Sequence, residues 1–198
     1  MPLTTKSDRN FYGDMSFPTL PGPWRLDVKH CFIFPFISTP GKVNSLLTDP
    51  RDRKDISRGI GMAMFIKYSS SPAGPYDELV YGMPFSNPTL PSWSLFNPRR
   101  LPSIHVSGES TLRNGRVNWG IRKELGDFYW TSSEGYFVTT TTFIARDRLS
   151  GKLITSASFA TLNIPFFFPL SWFGNLSPPI VERKIDVEGQ DLNEGWVQ

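Results

Sequence analysis

Hydrophobic and polar positions alternate over short stretches of this chain, which is typical of β-strands half-buried in a sheet. The clearest case is residues 135–145 and 153–162, which are rich in β-branched side chains and are separated by polar residues 147–151. Two alternating segments joined by a few turn-forming residues pair antiparallel, so this order predicts a β-hairpin.

Other apolar segments predict further strands of the same sheet. These segments are residues 25–37, 61–68, 78–85, 103–107 and 180–187. Pro35 falls near the end of the first of them. Because proline has no N–H to donate to a ladder, we expect that end to lie at a sheet edge or a bulge.

The segments between these strands carry loop signals. Residues 44–59 are mostly polar and predict a short helix or a loop. Residues 86–102 are rich in proline and aromatic side chains, which favours an excursion over the surface or over a cavity. The pair Asn114 and Gly115 tolerates positive φ angles and predicts a turn.

Residues 121–128 have the spacing of a short helix. Ile121, Leu125 and Phe128 occupy positions i, i+4 and i+7, so that one face of a helix would be apolar. Lys123 would then lie on a different face from this apolar stripe.

Composition supports a mainly β fold. The chain has 198 residues with 18 Pro, 16 Gly, 16 Phe and 6 Trp, and no long apolar helical stripe. This length is within the range of one domain with a real core. We expect an extended N-terminal arm at residues 1–23, a single domain at residues 24–187, and a C-terminal tail at residues 188–198.

Charge and hydropathy exclude two classes of partner. The 21 basic and 18 acidic residues leave a net charge of only +3, and no long basic run offers a nucleic-acid groove. Residues 164–173 are the most apolar stretch, but they are about half the length of a membrane span and contain two prolines. We interpret that stretch as core or as the lining of an apolar pocket.

Metal, disulfide and cofactor signals are weak. Cys31 is the single cysteine, and its apolar neighbours predict a buried, unreactive thiol in a reducing, cytoplasmic location. The polar N-terminus through Asn10 lacks the apolar core of a secretory signal. His30 and His105 have no ligand spacing around them, and no glycine-rich phosphate loop opens a helix. We therefore expect neither a metal nor a cofactor.

Lys123 and Glu78 are the candidate catalytic residues. A lysine that loses its proton in an apolar pocket can condense with a ketone to give an iminium, and a nearby carboxylate can move protons or orient the adduct. Desolvation disfavours the charged form of an amine far more than a helix dipole does, so burial would have to supply most of the activation.

The same residues carry a family resemblance. Gly115, Arg116, Gly120 and Lys123 fit the pattern Gly-Arg-x-x-x-Gly-x-Pro-Lys, and Glu78 fits a glutamate that precedes it on a strand segment. In these features the chain resembles the acetoacetate decarboxylase-like superfamily. The resemblance is clearest over residues 24–128 and fades beyond them.

This resemblance implies a fold and a site. The fold would be a strongly bent antiparallel sheet or an incomplete β-barrel with a few short helices and an interior apolar pocket lined by the Schiff-base Lys123 and by Glu78. Lys29 aligns with an arginine that holds the substrate carboxylate. The candidate substrate-contacting residues are Arg116, Lys29, Tyr76, Trp119, Phe168 and Trp172.

Three residues depart from the family pattern. Glu124 stands where the family's decarboxylases carry a second lysine, and a carboxylate near an ammonium stabilises its charged form. Arg122 stands at the usual proline and is a substitute cation. Lys29 keeps the charge of the family's arginine but loses the fork that fits a carboxylate. These departures favour a larger, apolar substrate over a simple keto acid.

Three functional classes remain open. The first is an enzyme that decarboxylates a β-keto or polyketide-like compound or makes a related imine-dependent change to its carbon skeleton. The second is a cyclase, isomerase or pericyclase of specialised metabolism that acts without a covalent bond, and the third is a non-catalytic ligand-binding protein. All three imply a small-molecule partner, and exposed strand edges with aromatic segments favour homo-oligomers.

Overall fold

A computed structural model describes residues 17–39, 58–84, 99–163, 182–185 and 191–197, with residues 99–100, 182–185 and 191–197 as backbone only. The described strands are β1 (Asp27–Ser38), β2 (Gly59–Ser70), β3 (Tyr76–Pro84), β4 (Arg99–Val106), β5 (Glu124–Glu134), β6 (Val138–Asp147), β7 (Leu153–Leu162), β8 (Glu182–Ile185) and β9 (Asp191–Val197). Helix α1 (Glu109–Trp119) connects β4 to β5.

Seven strands form one sheet in the order β1-β2-β3-β4-β5-β6-β7. Neighbouring strands are antiparallel except β4 and β5, which are parallel because α1 crosses between them. The predicted mainly β class and bent, barrel-like sheet are confirmed. The parallel β4–β5 pair is the one departure from an antiparallel order.

The sheet curls until its first and last strands touch through their side chains. The rings of Phe32 on β1 and Phe159 on β7 stack with centroids 4.2 Å apart. We call the side on which they meet the concave face. The buried apolar cluster there is Ala63, Phe65, Leu79, Tyr81, Met83, Phe143, Ala145 and Phe159.

Helix α1 packs on the other side of the sheet, which we call the helix-covered face. The buried apolar cluster there is Ile66, Tyr68, Tyr76, Val80, Leu101, Ile104, Val106, Leu112 and Leu125. Successive side chains of a strand point to opposite faces, so β3 is buried on both sides. Leu79 therefore lies on the concave face, while Glu78 and Val80 lie on the helix-covered face.

The predicted turn at Asn114 and Gly115 is wrong, because both residues lie inside α1. The Asn114 side chain is buried and satisfied by the N-terminal segment: its Oδ1 accepts from the backbone N of Leu20 at 2.6 Å, and its Nδ2 donates to the carbonyl of Pro18 at 3.2 Å. Those partners are more than 90 residues away in the sequence. The residues around Asn114 in the sequence give no information about these distant partners. The helix ends instead at Gly120, where φ is 62°.

The predicted helix at residues 121–128 is also wrong, because β5 begins at Glu124. Pairing with β6 along Gly126–Glu134 overrides the local helical spacing. Leu125 packs in the cluster on the helix-covered face, whereas Phe128 packs against the concave cluster. These two side chains thus lie on opposite faces of the sheet and do not form the apolar helix face that their spacing predicted.

The predicted hairpin is confirmed as β6 and β7. Its turn is closed by Asp147, whose Oδ1 accepts from the backbone N of Ser150 at 2.6 Å, and by Gly151 at φ 69°. The predicted strands at residues 25–37, 61–68 and 78–85 correspond to β1, β2 and β3 with small shifts at their ends.

Two further expectations differ from the structure. Residues 191–197 were expected in a tail but form β9, which pairs antiparallel with β8. Cys31 was expected to be buried but is exposed, because β1 is the edge strand of the seven-stranded sheet and side chains there have less cover.

Candidate active site

Glu78 lies in the middle of the sheet on the helix-covered face. Its strand neighbours are Ile66 on β2 and Val106 on β4, which are both buried and apolar. Only 7% of Glu78 is exposed. A carboxylate in such a position needs a charged or hydrogen-bonding partner, because burying an unpaired charge is very costly.

Lys123 is that partner. It lies between the end of α1 and the start of β5, is 8% exposed, and donates from Nζ to Glu78 Oε1 at 2.8 Å. Lys123 and Glu78 are 45 residues apart in the sequence. The fold therefore brings together the two residues that the sequence singled out, on the helix-covered face and not on the concave face expected to form the pocket.

Two tyrosines complete the cluster. Tyr68 donates its hydroxyl to Glu78 Oε2 at 3.2 Å, and the ring of Tyr76 lies 5.9 Å from Lys123 Nζ. Burial and the charge of Glu78 raise the pKa of both phenols well above the usual value. Both tyrosines are therefore neutral at physiological pH, and Tyr68 serves Glu78 as a hydrogen-bond donor.

Gly115 allows the Lys123 side chain to pass over helix α1. A Cβ atom at position 115 would lie 2.8 Å from both Cδ and Cε of Lys123, closer than real Cβ contacts. The glycine in the middle of a helix costs about 1 kcal/mol relative to alanine. Its presence is explained by the lysine stem that occupies the space of its missing side chain.

Arg116 contacts the backbone of the candidate lysine. Arg116 is 1% exposed, and its Nη2 donates to the carbonyl of Lys123 at 2.6 Å. This contact ties α1 to the segment that carries Lys123. The geometry is that of a residue that holds the lysine in place, whereas the sequence suggested substrate binding.

Lys29 lies at a different place. It lines a cavity of about 600 Å³ at the open end of the concave face, together with His30, Cys31, Phe32, Ser132, Glu134, Thr139, Thr141 and Thr161. This lining includes neither Lys123 nor Glu78. Burial and the charges of Lys29 and Lys67 lower the pKa of His30, which keeps its imidazole neutral.

Trp119 lies at the end of α1, away from the amine. Its ring packs edge-on against Trp24, with centroids 5.3 Å apart, and about a third of the residue is exposed. It helps to hold the N-terminal segment on the helix. Phe168 and Trp172, the remaining predicted substrate contacts, lie outside the described residues.

Glu124, the departure expected to oppose the reactive amine, points to the other side of the sheet. Its Oε2 lies 3.2 Å from His105 Nε2, and His105 Nδ1 lies 3.2 Å from Ser103 Oγ. Burial raises the pKa of Glu124, but the hydrogen bond and charge of His105, with Arg122, outweigh burial and lower it overall. Lys123 and Glu124 thus have separate partners on separate faces.

Sequence reasoning missed Tyr68 and gave His105 no role in the site, since it found no ligand spacing around that histidine. Tyr68 reaches Glu78 because β2 and β3 pair with Tyr68 opposite Tyr76. His105 reaches Glu124 because these two residues are paired across β4 and β5. A correct strand register would have found both contacts, but the parallel β4–β5 pair has no local sequence signal.

The arrangement combines an amine, a carboxylate and a neutral phenol in an apolar cluster. These groups can hold and move protons, and the amine is a nucleophile when it is unprotonated. Among the described residues, no three His, Cys, Asp or Glu side chains are grouped to hold a metal ion. In the same part of the chain, no helix has the length and apolar character needed to span a bilayer.

Comparisons with known proteins agree with this architecture. No family model and no curated protein matches the sequence. Among solved structures, acetoacetate decarboxylase from Legionella pneumophila is 19% identical and superposes with a TM-score of 0.61 over 94% of this chain and 70% of that chain. A second acetoacetate decarboxylase structure is 14% identical with a TM-score of 0.58, covering 94% of this chain and 72% of that one. The chain therefore has the acetoacetate decarboxylase fold.

Proposed function

We propose that this protein is an acetoacetate decarboxylase-like enzyme that acts on a carbonyl-bearing small molecule through the amine of Lys123. The observation that carries the proposal is the buried contact of 2.8 Å between Lys123 Nζ and Glu78 Oε1 on this fold. The substrate class is a β-keto or polyketide-like compound, and the reaction is decarboxylation or a related imine-dependent change to the carbon skeleton.

The first step requires an unprotonated amine. Glu78 Oε1 is the nearest acceptor for the Lys123 proton, and the transfer would leave two neutral groups in an apolar cluster, where neutral groups cost less to bury. Nζ then adds to the substrate carbonyl, and loss of water gives an iminium.

The iminium then takes up the electrons of the bond that breaks. In decarboxylation, the bond to the carboxylate carbon breaks, CO₂ leaves, and its electron pair forms an enamine. Protonation of the enamine carbon and addition of water release the ketone and restore the Lys123 amine. Loss of water to form the iminium uses the proton that Glu78 took from Lys123, so Glu78 would take a new proton from solvent water and pass it to the enamine carbon. The Tyr68 hydroxyl would keep the carboxyl oriented through Oε2.

Two other predicted site residues take supporting roles in this proposal. Arg116 fixes the backbone of Lys123 and adds a positive charge close to the site. Tyr76 presents its ring beside the amine. Lys29 lines a separate cavity on the concave face and takes no part in the steps proposed here.

A trapping experiment tests the reactive amine. Pentane-2,4-dione condenses with an unprotonated amine to give an enaminone and water, and peptide mass spectrometry locates the adduct. We expect the adduct on Lys123 in the wild type and none at that position in Lys123→Ala. Lys67→Ala is the matched control, because Lys67 also pairs with a carboxylate, Asp77, at 3.1 Å.

Turnover of β-keto acids, measured as CO₂ release, tests the reaction. Glu78→Gln keeps the shape of the side chain but removes its charge, and we expect turnover to fall by about 10²–10⁴-fold. A folded wild type that forms no adduct on Lys123, or that labels Lys67 as fast as Lys123, would contradict the amine mechanism.

The ion pair itself favours a second candidate function. A charged Lys123 held by Glu78 can polarise a carbonyl without a covalent bond, as a cyclase, isomerase or pericyclase would require. A product of unchanged mass, formed by the wild type without any adduct that borohydride can trap, would select this alternative. Recovery of unchanged substrate across a broad panel would indicate a ligand-binding protein.

A further inference from the structure

The weakest junction of the seven-stranded sheet lies beside Lys123. Strands β4 and β5 are paired through only two positions in the described residues, His105 with Glu124 and Val106 with Leu125. By contrast, β5 and β6 pair along all of Gly126–Glu134. Parallel pairing is also slightly less stable per residue than antiparallel pairing. Side-chain contacts must therefore contribute much of the strength of this junction.

The two candidate catalytic residues lie on opposite sides of the junction. Glu78 belongs to β3, in the antiparallel half formed by β1–β4, whereas Lys123 immediately precedes β5, in the half formed by β5–β7. A shift of β5 relative to β4 would move Nζ away from Oε1. The 2.8 Å contact between them thus depends on the docking of the two halves.

Glu124 and His105 hold this junction from the concave face. Their side chains meet at 3.2 Å directly across the β4–β5 pair, and His105 is in turn 3.2 Å from Ser103 Oγ. Ser103 and His105 are both buried. The contact therefore lies one residue from Lys123 along the chain and has a second hydrogen bond that fixes the imidazole ring.

We interpret these residues as structural and not as a second catalytic centre. A serine, a histidine and a glutamate in a row resemble a nucleophilic triad, but their contacts run directly across the paired strands β4 and β5. The arrangement is suited to holding a backbone position.

We propose that His105 and Glu124 are positioning residues that set the distance between Lys123 Nζ and Glu78 across the β4–β5 junction. This inference rests on the proposed function, because it explains how the amine is presented to a carbonyl compound. Arg148 makes a second link just past the end of β4, through the carbonyls of Ser107 and of Gly126 on β5 at 2.7 and 3.2 Å. The Arg148 contacts lie beyond Leu125 in an exposed part of the sheet. They do not involve Glu124, the residue next to Lys123, which is held by the His105–Glu124 contact.

The test uses the rate of enaminone formation from pentane-2,4-dione at Lys123 in the folded protein. His105→Leu removes the donor, and His105→Gln keeps an N–H near the position of Nε2. We expect the Lys123 rate to fall on the order of tenfold or more in His105→Leu, with partial recovery in His105→Gln. The rate at Lys67, read from the same spectra, is expected to stay unchanged.

Thr142→Val is the matched control. It removes the 3.1 Å hydroxyl contact between Thr142 and Ser158 within the long β6–β7 ladder, away from the β4–β5 junction. We expect no change in the Lys123 rate, whatever the change in melting temperature. An unchanged Lys123 rate in His105→Leu, together with a lowered melting temperature, would overturn the positioning role.

A crystal structure of His105→Leu gives a readout that does not depend on the reaction of Lys123 with pentane-2,4-dione. We expect the distance from Nζ to Glu78 Oε1 to exceed hydrogen-bonding range, and a retained contact near 2.8 Å would overturn the inference. If the wild type forms no adduct, the proposal of a reactive amine is rejected. The positioning role is then still tested by the crystallographic distance.

Discussion

Adjacent residues of β3 carry two lysine–carboxylate pairs on opposite faces of the sheet, and the pairs differ in burial. On the helix-covered face, Glu78 pairs with Lys123 at 2.8 Å, and the two side chains are 9% and 10% exposed. On the concave face, Asp77 pairs with Lys67 at 3.1 Å, and the side chains are 14% and 34% exposed. The same two functional groups therefore have different access to water.

The two pairs have partners of the same kind. Glu78 has a second donor in the Tyr68 hydroxyl, and Lys123 faces the ring of Tyr76. Asp77 has a second donor in Trp130 Nε1 at 3.1 Å, and Lys67 lies 5.8 Å from the Trp130 ring. The pair on the helix-covered face is surrounded by an apolar cluster, whereas the pair on the concave face is more exposed to water. Burial, and not pairing, distinguishes the candidate site.

Removing each carboxylate gives the largest expected contrast between the pairs. Glu78→Ala leaves the Lys123 ammonium buried without a partner, so we expect a loss of about 3–5 kcal/mol in the free energy of unfolding. Asp77→Ala leaves Lys67 able to reach water, and we expect a loss of about 1 kcal/mol from the ion pair. Urea denaturation of both variants measures this difference. Equal losses would mean that the two environments are equivalent.

Gly115→Ala alters only the pair on the helix-covered face. The new Cβ would lie 2.8 Å from the Lys123 stem, and we expect overpacking to cost about 1–3 kcal/mol and to slow the reaction of Lys123 with pentane-2,4-dione. In a Lys123→Ala background the clash is gone, and the gain in helix propensity should stabilise the protein by up to about 1 kcal/mol. The double-mutant cycle is measured by urea denaturation. Destabilisation of similar size in both backgrounds would show that another contact is responsible.

Tyr68→Phe tests one hydrogen bond of the pair on the helix-covered face and has the smallest expected effect. Loss of the hydrogen bond to a charged carboxylate is expected to cost about 1–2 kcal/mol at neutral pH. The raised pKa of Tyr68 means that its contribution to stability is complete below the ordinary tyrosine value of about 10 and is lost as pH rises above it. Wild type should therefore lose stability more steeply than Tyr68→Phe in alkaline buffer. Parallel alkaline profiles would indicate that Tyr68 is not the buried titrating group.

Local patterns were sufficient for elements whose partners are near in the sequence. The β6–β7 hairpin was predictable because Asp147 and Gly151 form its turn within a few residues of both strands. The strand that carries Glu78 was likewise visible from its apolar run. The motif resemblance, together with the chemistry of an amine, pointed to Lys123 and Glu78 before their proximity was known.

Elements that depend on distant partners were not predictable in this way. Helix α1 contains a buried Asn114 that is satisfied by Pro18 and Leu20, so its local turn signal was misleading. The start of β5 resembles a helix in spacing, but pairing with β6 determines its conformation. The contacts of Tyr68 and of His105 require the register of strands that the sequence alone does not align.

The parallel crossover between the two antiparallel halves has a consequence for folding. Hairpins such as β2–β3 and β6–β7 close short loops, whereas the contact between β4 and β5 closes a longer loop that contains α1, so we expect it to form later. Lys123 and Glu78 come from opposite sides of that contact. We therefore expect a partly folded chain to have most of its strands but not the Lys123–Glu78 pair, so that this pair would mark the completion of folding.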